Sequence, residues 1–149
     1  MGMKLSNATD LAHFLDDEKV ATLALPIDTD GTLHIATMNY VHMMEPFCFY
    51  FMTSDQSEKC TLLKHASEVT AACNVGTYTG TPFTLQMRGV AAILDKAEQD
   101  AVLDAYYTKR GDTNRNVEGP HSVLVAFRPN WARFTDFSKG WNTTLLDLS

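Results

Sequence analysis

Two stretches of this chain, residues 32–43 and 83–94, each run extended and β-favouring for about twelve residues without a proline. Strands in globular proteins usually hold about 5–6 residues. Two strands of twice that length, in a chain of 149 residues, call for a sheet that curls and closes into a small barrel. Both faces of each stretch mix apolar and polar side chains, so neither face is simply solvent-facing. A barrel with helices on its ends and a partner against its side fits that pattern.

The rest of the chain is consistent with this. Residues 7–19 form a short amphipathic helix in which Leu11, Phe14 and Leu15 make the apolar stripe. Residues 20–26 are a strand, and Asp28-Thr-Asp-Gly31 has hairpin-turn chemistry. Met44-Glu-Pro46 turns the chain into the aromatic strand 47–53, and a helix is expected from there to about Glu68. A strand at 69–75, a loop at 76–82 and the long strand 83–94 follow. Asp95-Lys-Ala-Glu98 has capping-box spacing and opens a second surface helix ending near Gly111. After an irregular loop (111–120), strands at 122–128 and 131–137 are separated by Pro129-Asn130, and the tail from Ser138 shows no clear period. Consecutive strands joined by tight turns imply antiparallel pairing. The expectation is one mainly β domain, 1–149: an N-terminal helix (1–19), a barrel with inserted helices (20–137) and a tail (138–149).

Charge narrows the partners. A net charge of −6 argues against a nucleic-acid binder, which needs a basic surface to displace counterions. Cys48, Cys60 and Cys73 form no Cys-x-x-Cys pair and suggest reduced thiols. No apolar run approaches the ~18 residues of a membrane span, and the first ten residues lack the apolar core of a signal peptide. A cytoplasmic protein is expected.

Chemistry-bearing residues cluster in three places. In Met52-Thr-Ser-Asp-Gln-Ser-Glu-Lys59 an aromatic strand runs into a helix start. Asp55 and Glu58 have the spacing of a capping box. Lys59 falls in the first turn, where the helix dipole disfavours a cation. A lone lysine is most often a solvated surface residue. The alternative is an anion site built from free helix-start N–H groups, the hydroxyls of Thr53, Ser54 and Ser57, and the Lys59 ammonium, which suits a phosphate monoester. On the strand 83–94, Thr84, Gln86 and Arg88 share one face, which meets either water or a cavity; Gly89 marks a bulge or a close approach. On 32–43, Met38 and Tyr40 suit core packing, while Asn39 needs a partner if buried. His13, His34, His42, His65 and His121 lack metal-ligand spacing, and there is no Gly-x-Ser-x-Gly elbow. Trp141 packs on the core or lies over a ligand.

The order VATLALPIDTDGTLHIATMNY, FCFYFMTSDQSEKCTLLKHASEVTAACNV, FTLQMRGVAAIL resembles the pyridoxamine 5′-phosphate oxidase-like, FMN-binding split-barrel family over residues 20–94, with a looser match through Phe137. The resemblance implies a six-stranded antiparallel split β-barrel with flanking helices, a homodimer with FMN at the subunit interface, and oxidoreductase chemistry on a small substrate. It places Thr37, Met38, Asn39 and Tyr40 along the flavin, Met52 and Thr53 by the ribityl-phosphate arm, and Ser54, Ser57 and Lys59 on the phosphate. Gln86 and Arg88 would reach the flavin from the second subunit. It implies no side chain as a catalytic acid or base. Two departures stand out. Ser57-Glu58-Lys59 replaces the family's frequent Ser-Arg-Lys, exchanging a cation for an anion. The tail SKGWNTTLLDLS lacks the family's Arg-x-His segment, so vitamin B6 phosphate is not the expected substrate. Members of this fold also take a deazaflavin coenzyme or haem, and a non-catalytic flavin- or haem-binding sensor is the alternative role.

Overall fold

The computed structural model describes residues 5–77, 79–110 and 119–148. Helix α1 (Leu5–Asp17) is followed by strands β1 (Val20–Pro26), β2 (Leu33–Asn39), β3 (Val41–Met44) and β4 (Phe47–Ser54). Then come α2 (Cys60–Leu63), β5 (Val69–Val75), β6 (Phe83–Ile93), α3 (Lys96–Arg110), β7 (Ser122–Asp136) and β8 (Asn142–Leu145). The expected loop at 111–120 lies, up to residue 118, outside the described residues.

Among the described residues the strands pair, all antiparallel, in the order β2-β1-β5-β6-β7-β4-β3. The two ends of that path, β2 and β3, are halves of the single extended run 32–43, separated only by Tyr40. The run pairs with β1 through Asn39, then crosses at Tyr40 to pair with β4 from Val41. The sheet therefore curls back on itself. Counting β2 and β3 as one strand leaves six along this path, the number expected for the barrel, and β8 makes a seventh.

Three sequence expectations are corrected. The strands at 122–128 and 131–137 are one strand, β7, because Pro129-Asn130 is absorbed as a bulge: the register slips between Arg88 and Gly89 of β6. The tail contains β8, which pairs with β7 beyond the end of β4, so backbone bonding holds a segment with no apolar period. The helix expected up to Glu68 is the four-residue α2, since only Cys60 and Leu63 are buried there and the following Lys64, His65 and Glu68 offer nothing to pack.

Two cores result. Inside the barrel, Leu23, Phe49, Phe51, Leu85 and Phe127 pack together, closed at one end by Leu11, Phe14 and Leu15 of α1. Outside it, α3 lays Val102, Tyr106 and Tyr107 over Tyr50, Leu124 and Ala126. The capping box opening α3 forms as expected: Glu98 N–H donates to Asp95 Oδ1 at 2.9 Å, and Asp95 N–H to Glu98 Oε1 at 3.3 Å. The β1–β2 turn also forms, with Gly31 at φ +87° and its N–H on the Asp28 carbonyl.

The seam is pinned where the strand crosses. Tyr40 is fully buried, and its hydroxyl donates to the Leu15 carbonyl at the end of α1 (2.6 Å). Lys109 of α3 donates to the same carbonyl at 2.9 Å and lies 4.0 Å from the Tyr40 ring centroid. Beside them, His42 Nδ1 is buried with no hydrogen-bond partner among the described residues. Burial, then the Lys109 charge, hold His42 down at about 4 against the opposing pull of Asp16. Folded His42 thus takes a proton near pH 4, whereas the unfolded residue takes one near 6.5. This contribution is full above pH 6.5 and is lost as the pH falls toward 4. Urea midpoints should show a loss of about 2 kcal/mol between pH 7 and 4.5 that His42→Gln removes, leaving only the carboxylate-driven part. Parallel curves for both proteins would contradict the assignment.

Candidate functional site

The end of β4 is folded by two successive turns. Ser57 N–H donates to the Ser54 carbonyl at 3.0 Å, and Cys60 N–H to the Ser57 carbonyl at 3.0 Å. These bring the Thr53 and Ser57 hydroxyls to 3.5 Å from each other. Ser54 is exposed, and its hydroxyl accepts from Gln56 N–H. Lys59 follows, half-buried, and its ammonium makes no hydrogen bond or ion pair among the described residues.

The Asp55–Glu58 capping box is corrected, because neither carboxylate caps α2. Asp55 pairs with His121 at the start of β7 (3.2 Å to Nδ1), and Glu58 reaches His34 Nδ1 of β2 at 3.4 Å. Partners from distant strands take both acids. A four-residue helix also contributes little dipole, so the basis for an anion site here is the two hydroxyls and the free ammonium. The Glu58–His34 contact ties this loop to β2.

On β2 the side chains alternate. Leu33, Ile35, Thr37 and Asn39 are exposed on the outer face, while His34, Ala36 and Met38 are part-buried on the inner one. Thr37 lies opposite Thr22, hydroxyl to hydroxyl, at 3.2 Å. Met38 packs against the barrel core, and Tyr40 belongs to it. Met52 packs in the cluster under α3. The sequence-derived site thus divides in this chain: Thr53 and Ser57 meet at the β4 end, with Ser54 and Lys59 beside them in the chain, Thr37 and Asn39 lie on the outer face of β2, and Gln86 and Arg88 lie on that of β6. Met38, Met52 and Tyr40 serve packing.

Among the described residues the outer face is covered by α3 at one end and bare at the other. Across the bare half runs a groove of about 420 Å³ with Ala24 and Ala72 at its floor, Ile35 to one side and Gln86, Arg88, Trp131 and Arg133 to the other. The Arg88 guanidinium carbon lies 4.1 Å from the Trp131 ring centroid, and that of Arg133 5.6 Å. Arg133 Nε donates to Gln86 Oε1 at 3.1 Å, and its Nη2 donates to the same oxygen. Trp131 and Arg133 were not singled out in the sequence. Their signal was an alternation, Trp131-Ala-Arg133, on the strand that the bulge places opposite Arg88. Trp141, by contrast, is 74% exposed; its ring meets the Phe137 ring, and it does not line the groove.

Thiol chemistry is disfavoured. Burial pushes all three cysteine thiols up, Cys73 to about 12. Neutral buried thiols are inert. No group of three or more metal-ligating side chains exists among the described residues. No helix among them is long and apolar enough to cross a membrane.

No family model matches the sequence, and no curated protein does. Solved structures do match. A Clostridium acetobutylicum protein related to general stress protein 26, of the pyridoxinephosphate oxidase family, superimposes with TM-score 0.68 at 12% identity, over 98% of this chain and 97% of that one. The haem storage protein HutZ of Vibrio cholerae gives 0.67 at 15% identity, over 86% and 92%. The Agrobacterium tumefaciens protein Atu2129 gives 0.69 at 11% over 91% of this chain, which spans only 60% of its length. The chain therefore has the pyridoxamine 5′-phosphate oxidase-like split-barrel fold. On that fold, solved structures include haem-binding proteins as well as oxidase relatives.

Proposed function

We propose that this chain is an FMN-binding flavoprotein, an oxidoreductase of small molecules that works as a homodimer. The observation that carries the reading is the end of β4, where two hydroxyls lie 3.5 Å apart and the half-buried Lys59, two positions on from Ser57, has no ion pair among the described residues. That donor set fits a phosphate monoester. Bound there, FMN would supply the redox chemistry, and the chain would bind and orient it. Thr53, Ser54, Ser57 and Lys59 hold the phosphate. Thr37 and Asn39 present polar groups along β2. Glu58, which by charge opposes a phosphate, is drawn to His34.

Dimerisation supplies what a single chain leaves apart. Gln86 and Arg88 lie on β6, two strands from β4 in the sheet, and on this reading they join the cradle from a second copy. Leu33 and Ile35, 71% and 67% exposed on the bare face, are the apolar surface such a copy would cover. Haem fits less well, because the groove presents no imidazole and its one thiol, Cys73, is buried.

Lys59→Glu should weaken FMN binding by at least about 1.5 kcal/mol, the low end for a charge-assisted bond, measured by flavin-fluorescence titration. Unchanged affinity would remove Lys59 from the site and, with it, this placement of the phosphate.

A further inference from the structure

We propose that a slot in the barrel wall binds a primary amine carrying one apolar body. The slot lies at the Phe47 end of β4, roughly 20 Å along the strand from the Ser54 end that carries the cradle. It shares no lining residue with the cradle or with the outer-face groove. The inference therefore goes beyond the flavoprotein reading and does not depend on it.

The slot exists because two strands stop short of each other along β7. Pairing of β7 with β4 ends at Phe49–Phe127, and pairing with β8 begins at Arg133–Leu145. Between them the Ala132 carbonyl accepts from Leu146 N–H at 3.0 Å, and residues 128–131 have no ladder partner on that side among the described residues. The bulge at Pro129-Asn130 falls within this gap, and a bulged strand bends out of its ladder. Four residues of strand without a partner leave a break of about 13 Å in the wall. The result is a cavity of about 450 Å³. Leu11 of α1 and Phe47 lie at its base, and both belong to or pack against the barrel core. Met44 and Pro46 stand on one side, with Leu146 and Leu148 of the tail on the other. Protein interiors are close-packed, so a space of this size with mostly apolar walls leaves surface that an apolar body would remove from water.

Charge then selects the head group. The charged side chains lining the slot are Glu45, Asp147 and Arg128. Arg128 already faces Glu98 of α3 at 3.8 Å. Glu45 is exposed at the rim and makes no ion pair among the described residues. Asp147 adds a second carboxylate, and the net charge of −6 gives the chain as a whole a field that draws cations. An ammonium at the rim pairs with Glu45 while the body it carries lies on Leu11 and Phe47. The Met44 thioether, on a flexible side chain 39% exposed, adapts to the body's shape. A carboxylate head would instead face two acids, and Arg128, its one cationic partner in the lining, is already met by Glu98. The volume suits one ring or a short alkyl chain.

The test needs no flavin, so it separates this inference from the cofactor assignment. Amide shifts of the 15N-labelled full chain would be followed by NMR during titration with four probes: 3-phenylpropylamine, its neutral analogue 3-phenylpropanol, the anion 3-phenylpropanoate, and propylamine, which keeps the head and lacks the ring. The amine should move the amides of residues 44–48 and 146–148 (Pro46 has none) and saturate them. The alcohol should bind about threefold to fivefold more weakly, the size of an exposed ion pair, and the carboxylate more weakly again. Propylamine should lose tenfold or more, roughly the worth of burying the ring. Glu45→Lys, at an exposed turn position, should weaken the amine about fivefold and strengthen the carboxylate, reversing their order. No shift at these amides by about 10 mM amine, the range expected of a probe this small, overturns the inference. So does alcohol or carboxylate binding as tightly as the amine, propylamine matching it, or a Glu45→Lys protein that keeps the parental order. The comparison of the four probes in the parent protein decides the matter even where the variant fails to fold.

Discussion

Gly89→Ala should cost about 3 kcal/mol or more and leave little soluble folded protein. A β-carbon on Gly89 would stand 2.1 Å from the Arg128 carbonyl oxygen, 2.7 Å from Pro129 Cα and 2.8 Å from the Arg128 carbonyl carbon. All three are backbone atoms of the adjacent strand, so no side chain can swing aside. Relief requires β6 and β7 to part at the bulge where their register slips. That same bulge sets which face Trp131 occupies, because a one-residue slip turns every following side chain to the other side of the sheet. Repacking it would send Trp131 and Arg133 inward and break the stack with Arg88. Urea unfolding measures the loss. A variant with the parental midpoint would mean that the close approach of Gly89 to β7 is wrong.

Phe51→Ala should cost about 3–5 kcal/mol, the range for emptying an aromatic site in a packed core. Phe51 is fully buried in the barrel interior, and β7 pairs along its strand at Val125. Thr53 lies two residues on, on the same face of β4. The cavity therefore opens directly behind the cradle. Phe51→Leu, which keeps most of the volume, should cost markedly less. The comparison is made by denaturant titration at constant slope. A loss below 1 kcal/mol for the alanine variant would show that this end of the barrel is not the packed support described above.

Much of the fold could be read from the chain, because its signals are local. The long runs, the Asp28–Gly31 turn and the Asp95–Glu98 box each act through residues close in sequence, and each formed as expected. The helix after β4 was misjudged for the complementary reason. Asp55 and Glu58 have the right spacing to cap, but His121 and His34, 66 and 24 positions away, hold them instead. Long-range partners leave no local mark. The β8 strand was invisible because backbone pairing along β7, not side-chain pattern, holds its Asn142-Thr-Thr-Leu145. The cradle residues were legible as a cluster because they lie within seven positions of each other. Trp131 and Arg133 were not, since their meeting with Arg88 depends on a register that the bulge alone fixes.

The central claim is the phosphate cradle and the flavin it holds. The most direct measurement is the visible absorption spectrum of freshly purified protein, repeated after adding FMN and removing the excess. The account predicts a flavin spectrum retained at about one FMN per chain, as the fit of a phosphate monoester to Thr53, Ser57 and Lys59 requires. A colourless protein that releases all added FMN would contradict it. It would mean that Glu58 beside the cradle outweighs Lys59, and haem and the deazaflavin coenzyme would then be the ligands to add next.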